Sequence, residues 1–221
     1  DYRSSRGLGD VYKRQQESLS GTFNYSDPNY NFLGNSIVYS LSSEKNDKPD
    51  QGYENSIISA GVGTSFEQYK DVRTSLGLNA SYDDLRSQSN ASDAIKKQSG
   101  TYNDITLNYG FSQDKRNRSF MPTSGSIISF NQSLPLYADK PALGNVLSSS
   151  IYKTLSEDVV GAGKFYIASI NGLDDDVRLS NRTSLSSKRL RGFERGKVGP
   201  MDGTDHIGGN SVSYTHLRAH E

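Results

Sequence analysis

The chain has 221 residues, only 33% of them hydrophobic, a mean hydropathy of −0.70, and 25 cations balanced by 25 anions. That balance excludes the basic excess of a nucleic-acid-binding domain, and no run reaches the roughly 18 apolar residues of a membrane helix. Fourteen Tyr, 8 Phe and 21 Gly, with no Cys and no Trp, do not fit a disordered chain, which lacks aromatics. They fit a transmembrane β-barrel, whose strands show one face to lipid and the other to a polar lumen, so that mean hydropathy stays low.

Taken in chain order, residues 1–15, ending GDVYKRQ, share no pattern with the body of the chain. The same holds for residues 211–221, which contain VSYTHLRAHE. Both resemble translated adapter sequence and are set aside as artefactual, non-native ends, leaving 16–210 as a partial barrel domain. His216 and His220 stand four apart, a spacing that places two metal ligands on one helix face. Within a foreign tail the pair has no such meaning, and no metal ligand is assigned.

From Glu17 onward, alternating runs predict about eight strands, over 17–26, 35–44, 54–65, 71–83, 101–115, 126–137, 145–154 and 159–172. In the second, Ile37, Tyr39 and Leu41 face away from Ser36, Ser40 and Ser42. In the fourth, Leu76, Leu78, Ala80 and Tyr82 oppose Ser75, Gly77, Asn79 and Ser81. In the fifth, Ile105, Leu107, Tyr109 and Phe111 oppose Asp104, Thr106, Asn108, Gly110 and Ser112. A period of two is the strand signature, and a mostly small and uncharged polar face suits a lumen. Runs 145–154 and 159–172 alternate poorly. Strand lengths of 10–15 residues favour a tilted spanning strand over a soluble sandwich.

The breaks sort into two alternating classes. Those at 27–34, 66–70, 116–125 and 155–158 are compact, whereas 44–53, 83–100, 138–144 and 172–210 are mostly longer or more polar. Short turns at one end and long loops at the other is the outer-membrane barrel arrangement, with the turns facing the periplasm. The last break is long enough to demand a function.

Two breaks hold motifs. Asp114-Lys115-Arg116, then Phe120-Met121-Pro122-Thr123-Ser124-Gly125, reads first as a hairpin turn, with Pro122 presetting φ and Gly125 allowing φ > 0. The last break holds Arg191-Gly192-Phe193, then Val198-Gly199-Pro200 and Gly208-Gly209-Asn210. In this order the two sets resemble the D-x-R…F-x-P-T-x-G turn and the R-G-F/Y loop-six motif of the Omp85 superfamily, most closely its BamA branch. Leu190, where a β-branched residue is usual, and Ser119-Phe120-Met121 depart from the pattern.

The resemblance covers about residues 17–210. It implies an all-β fold, about half of a 16-stranded transmembrane antiparallel barrel, in a bacterial outer membrane. It implies that loop six folds into the lumen, with Arg191 gripping carboxylates on strands beyond Asn210, as a guanidinium fork suits. It further implies assembly and insertion of unfolded outer-membrane β-barrel clients, contact with outer-membrane lipids, and Bam-type lipoproteins bound through POTRA domains outside this sequence. Alternatives within the family are a secretion or TamA-like translocation pore, or the barrel of a patatin-type phospholipase fusion; a plain porin gives its loops no reason to hold R-G-F. Asp174-Asp175-Asp176 reads as a solvated turn, and His206 lacks a metal-binding partner. No Ser/His/Asp set, phosphate loop or carboxylate pair stands out, so neither a catalytic site nor a cofactor is expected.

Overall fold

A computed structural model describes residues 18–48, 52–89, 91–183, 198–203 and 205–220. The N-terminal segment 1–15 lies outside them. One antiparallel sheet dominates, its strands adjacent in chain order: β1 (Ser18–Asp27), β2 (Ser36–Lys48), β3 (Tyr53–Tyr69), β4 (Val72–Ser87), β5 (Gly100–Asp114), β6 (Gly125–Ala138), β7 (Ala142–Ser156) and β8 (Val159–Gly172). Between β4 and β5 lies a single helical turn, α1 (Asp93–Lys96). After β8, two short strands, β9 (Met201–Asp202) and β10 (Asp205–His206), pair with each other. The sheet then gains a last strand, β11 (Ser211–His220), antiparallel to β8.

That ninth strand is built from residues that the sequence sets apart as foreign to the body of the chain. A ladder is built from backbone groups, and Val212, Tyr214 and His216 alternate with Ser213, Thr215 and Leu217 well enough to support one. Backbone pairing is indifferent to a segment's origin; it fixes only where these residues lie. Nor is the histidine pair helical: His216 sits on a strand, its ring stacked on Tyr214 with centroids 6.1 Å apart.

Strands also outrun their predicted ends. β3 reaches 17 residues and β4 reaches 16, more than the 9–11 or so that span a bilayer. β2 continues through Glu44-Lys45-Asn46-Asp47-Lys48, paired with Tyr53 to Ser56 and Ile57. Hydrophobic alternation marks only the part of a strand that meets lipid, whereas the ladder continues into water. The connections nevertheless keep their two classes. Residues 70–71 and 157–158 are tight turns at one end, while the described parts of 88–99 and 173–210 lie at the other.

Register assigns the faces. The inward row at one height runs Gly63, Gly77, Asn108, Ser133, Gly144 and Ile170, each opposite the next. Small side chains there let facing hydroxyls meet, as Ser42 and Ser59 do at 2.7 Å and Ser129 and Ser148 at 2.8 Å. The outward face holds Ile58, Val62, Leu76, Leu78, Ile105 and Phe111, all exposed, as a lipid-facing surface requires. On β7 and β8 the contrast weakens because Asn145, Ser149 and Ser169 face outward while Val146, Ala162 and Ala168 face in. Asn145 is satisfied on that face: Tyr109 donates to Gln132 at 2.5 Å, and the Gln132 amide donates to Asn145.

With apolar side chains turned outward, the buried core is small and sits off the sheet's centre. Tyr53, Leu85, Ala91, Ile95, Tyr102 and Leu179 form one cluster at the loop end, with Ile207 packed against it. Its members come from β3, β4, the β4–β5 connection with α1, β5 and both arms of the long loop after β8. That loop therefore docks on the opposite part of the sheet.

Candidate functional site

The first arm of the loop begins at Gly172, where a Cβ would stand 1.9 Å from the Asp175 carbonyl oxygen, so only glycine permits the turn. Asp176 accepts from the Val177 amide at 2.8 Å and pairs with Arg182 at 2.7 Å. The Asp174–Asp176 run is thus a built corner with one working carboxylate. A single 3-10 turn, Leu179–Asn181, comes next.

This corner delivers Arg178 into the sheet, 3% exposed. Its Nη2 donates to Asp104 Oδ2 of β5 at 2.5 Å, and its Nε lies 3.5 Å from Asp83 Oδ2 of β4. Nε also donates to Ser180 Oγ at 2.8 Å, and that hydroxyl donates to Asp83 at 2.7 Å. Below, Asn55 of β3 donates to the other Asp83 oxygen at 3.3 Å. The guanidinium carbon stands 4.6 Å from the centre of the Tyr102 ring, a cation–π contact strengthened by burial. Tyr102 donates to the Gln98 carbonyl at 2.6 Å, and the Gln98 side chain accepts from the Leu179 amide at 2.9 Å.

One cation between two carboxylates leaves the cluster a formal charge of −1. Desolvating ions costs several kcal/mol each, so such a cluster is weak evidence of net stabilisation, while breaking it by removing one partner costs about 3–5 kcal/mol. What it supplies is specificity: the arm has one place where its buried cation is satisfied. Beside it lies a polar cavity of about 390 Å³, lined by Asn79, Ser81, Thr106 and Ser133 among others. Asp104 Oδ1 and Arg178 Nη1 are buried without a protein hydrogen bond, and the cavity is polar and roomy enough to hydrate them.

The second arm holds the later loop motif. Gly199 and Gly208 adopt φ of +138° and +69°, and the Pro200 carbonyl accepts from the Ile207 amide at 3.1 Å. Gly209 bridges Thr183 with reciprocal bonds of 2.8 and 3.0 Å, which join the two arms at a neck. The Asn210 carbonyl accepts from the Ile170 amide at 2.7 Å, and the chain leads on into β11. Buried Asp205 accepts from the Ser92 amide at the start of α1, 2.9 Å away. Arg191, Gly192 and Phe193 lie outside the described residues.

The turn motif is gathered at the other end of the sheet. Asp114 receives Arg116 through Nε at 2.8 Å and Nη2 at 2.6 Å, and also accepts from its amide at 3.1 Å. That carboxylate holds the Arg116 guanidinium above its ordinary pKa, so the group stays charged. Gly125, at φ +99°, lies so close to the Lys115 carbonyl oxygen that a Cβ would stand 2.1 Å from it. Thr123 and Ser124 both donate amides to the Asn117 side chain, at 3.1 and 3.2 Å. Pro122 is half-buried, while Phe120 is exposed.

Sequence reasoning missed Arg178, Asp83, Asp104 and Asn117. Asp83 stood at the edge of an expected break and Asp104 was one polar residue in an alternating strand. The available signal was two inward-facing carboxylates near the loop ends of adjacent strands, at neighbouring heights.

Comparison with known proteins fits this arrangement. The fold superposes on the crystal structure of BamA from Haemophilus ducreyi lacking POTRA domains 1–3, with a TM-score of 0.79 and 22% identity, over 91% of this chain and 44% of that one. This chain thus spans less than half the length of that relative. The family model of the Omp85 superfamily domain matches residues 5–217. The nine-stranded sheet with its inward-docked loop is accordingly part of a bacterial outer-membrane barrel, and the chain belongs to the Omp85 superfamily.

Proposed function

We propose that this chain forms the wall and the loop-six portion of a BamA-like factor that assembles and inserts outer-membrane β-barrel proteins. Family membership and the likeness to a BamA barrel support the reading, and one observation carries it: the first loop arm is latched to β4 and β5 by buried Arg178 between Asp83 and Asp104. A latched loop keeps a barrel wall in one arrangement while chemistry proceeds elsewhere on it. That chemistry is pairing of an unfolded client strand with an exposed barrel edge, an augmentation of the sheet inside the membrane. The edge, the carboxylates that Arg191 would grip and the POTRA domains that would bind lipoproteins belong to the rest of the protein.

The test is made in the full-length protein. Arg178→Ala is expected to lower assembly of several different β-barrel clients while the barrel keeps its heat-modifiable mobility. Unchanged client assembly with a demonstrably released arm would end the reading of the loop as a working part. If only one partner failed to be exported, the secretion branch of the family would replace the assembly reading. Arg191→Ala should act in the same direction through the rest of the loop, since leaving buried carboxylates unpaired costs about 1–3 kcal/mol.

A further inference from the structure

The β5–β6 turn carries a feature that its role as a connection does not require. Phe120 and Met121 form its tip, 80% and 68% exposed. An apolar tip on a loose loop would fold back, and this one is held out. Met121 sits at φ +48°, a left-handed conformation unusual for its side chain, fixed by Arg118 Nε donating to its carbonyl at 2.6 Å. Asn117 clasps Thr123 and Ser124, Arg116 braces Asp114 and the Ser119 carbonyl, and Thr154 of β7 donates to the Thr123 carbonyl at 3.1 Å. The tip is therefore a braced projection.

Its charge sets it apart from the other turns at that end. Residues 115–124 contain Lys115, Arg116 and Arg118 and no acid, whereas 28–35 contain no charge, 70–71 pair Lys70 with Asp71, and 157–158 are Glu157 and Asp158. Arg116 is occupied by Asp114, but Lys115 has no ion-pair partner among the described residues and Arg118 spends only Nε on the backbone. Two free cations beside two exposed apolar side chains match the chemistry of an anionic phospholipid surface. Phosphates take the cations, and the ring and thioether enter the headgroup boundary. The sheet's own orientation supplies the surface, because the short-turn end of an outer-membrane barrel lies at the periplasmic leaflet.

We infer that the β5–β6 turn is a membrane-surface anchor that binds anionic phospholipid of the periplasmic leaflet through Lys115 and Arg118 and inserts Phe120 and Met121 among the headgroups. This would fix the height and tilt of the wall beside the turn, independently of what the loop end does. The chain contains no Trp, so Phe120→Trp places a reporter there in the full-length protein, with the unsubstituted protein as blank. In phosphatidylethanolamine vesicles containing phosphatidylglycerol, the added emission should be blue-shifted and quenched by brominated phospholipid. Lys115→Gln with Arg118→Gln should cut the engaged-to-free ratio by about five-fold per cation, and omitting phosphatidylglycerol should act alike. Retained heat-modifiable mobility certifies that each variant is folded. Quenching by aqueous acrylamide and not by brominated lipid overturns the proposal, as does quenching by neither, which places the tip against the protein's own periplasmic part. Lipid quenching indifferent to phosphatidylglycerol and to the two glutamines overturns it as well.

Discussion

At the loop end, Arg178 meets Asp104 across 74 residues of chain, Leu179 meets Gln98 across 81, Ser180 meets Asp83 across 97 and Ser92 meets Asp205 across 113. At the turn end, Arg116 meets Asp114 two residues away, and Asn117 clasps Thr123 and Ser124 six and seven residues on. Both ends use a guanidinium on a carboxylate, yet one pair is buried and the other lies at the surface. Long-range, desolvated contacts make the loop arm all-or-none: it is seated with its buried ions paired or it is out. Local, solvated contacts make the turn a fixed shape whatever the rest of the sheet does. An inward loop that must hold one position, and a projection that must keep one form, call for these two solutions respectively.

The comparison breaks most visibly at Arg178. In the full-length protein, Arg178→Ala should favour opening of the first arm by about 3–5 kcal/mol, the cost of stranding one or both of two buried carboxylates. Amide exchange at Leu179 and Asn181 should rise by orders of magnitude, while that at Thr123 and Ser124 stays put. If the arm stays protected, the Leu179 cluster and the neck at Gly209 hold it, and the ion cluster is a passenger.

The same difference of range decides what the sequence could show. Phe120-Met121-Pro122-Thr123-Ser124-Gly125 is legible because all but one of its constraints, the Thr154 contact, act inside a dozen residues: Gly125 must pass beneath the Lys115 carbonyl, and the spelling reflects it. Strand alternation is legible for the same reason, since the pleat is local. The ends of β2, β3 and β4 were not, because beyond the bilayer the ladder needs no hydrophobic pattern. β7 and β8 were faint because Asn145 and Gln132 satisfy each other on the outward face, so polarity there does not mark the lumen. Asp83, Asp104 and Arg178 were invisible as a set: each is ordinary in its own segment, and only the sheet's register brings them within reach. The pairing of Ser211–His220 was hidden behind its composition, of which a ladder asks little.

At the turn end the largest expected effect is at Gly125. Gly125→Ala sets a methyl group 2.1 Å from the Lys115 oxygen at φ +99°, so backbone must shift, at a cost of about 1–3 kcal/mol for a strained residue. The expected outcome is lower protection at Lys115 and Asn117 and a shifted tip, with the Arg178 arm unchanged. A loss of arm protection as well would show that the strands transmit strain from end to end and that the two ends are not separately held.

The smallest effect sharpens the contrast most. Asn117→Ala removes one exposed side chain that accepts from two amides and donates to Thr123 Oγ1 at 2.8 Å. Each bond is worth about 0.5–1.5 kcal/mol at best, and less here, because water can replace them at the surface. Amide exchange at Thr123 and Ser124 should therefore rise by roughly ten-fold, about 1.4 kcal/mol, with no measurable change in unfolding midpoint. The contact between Thr154 and the Thr123 carbonyl, which comes from another strand, should persist and keep the turn in place. If instead the turn lost all protection, the clasp would be its cooperative centre, and the local end would share the all-or-none character of the loop end.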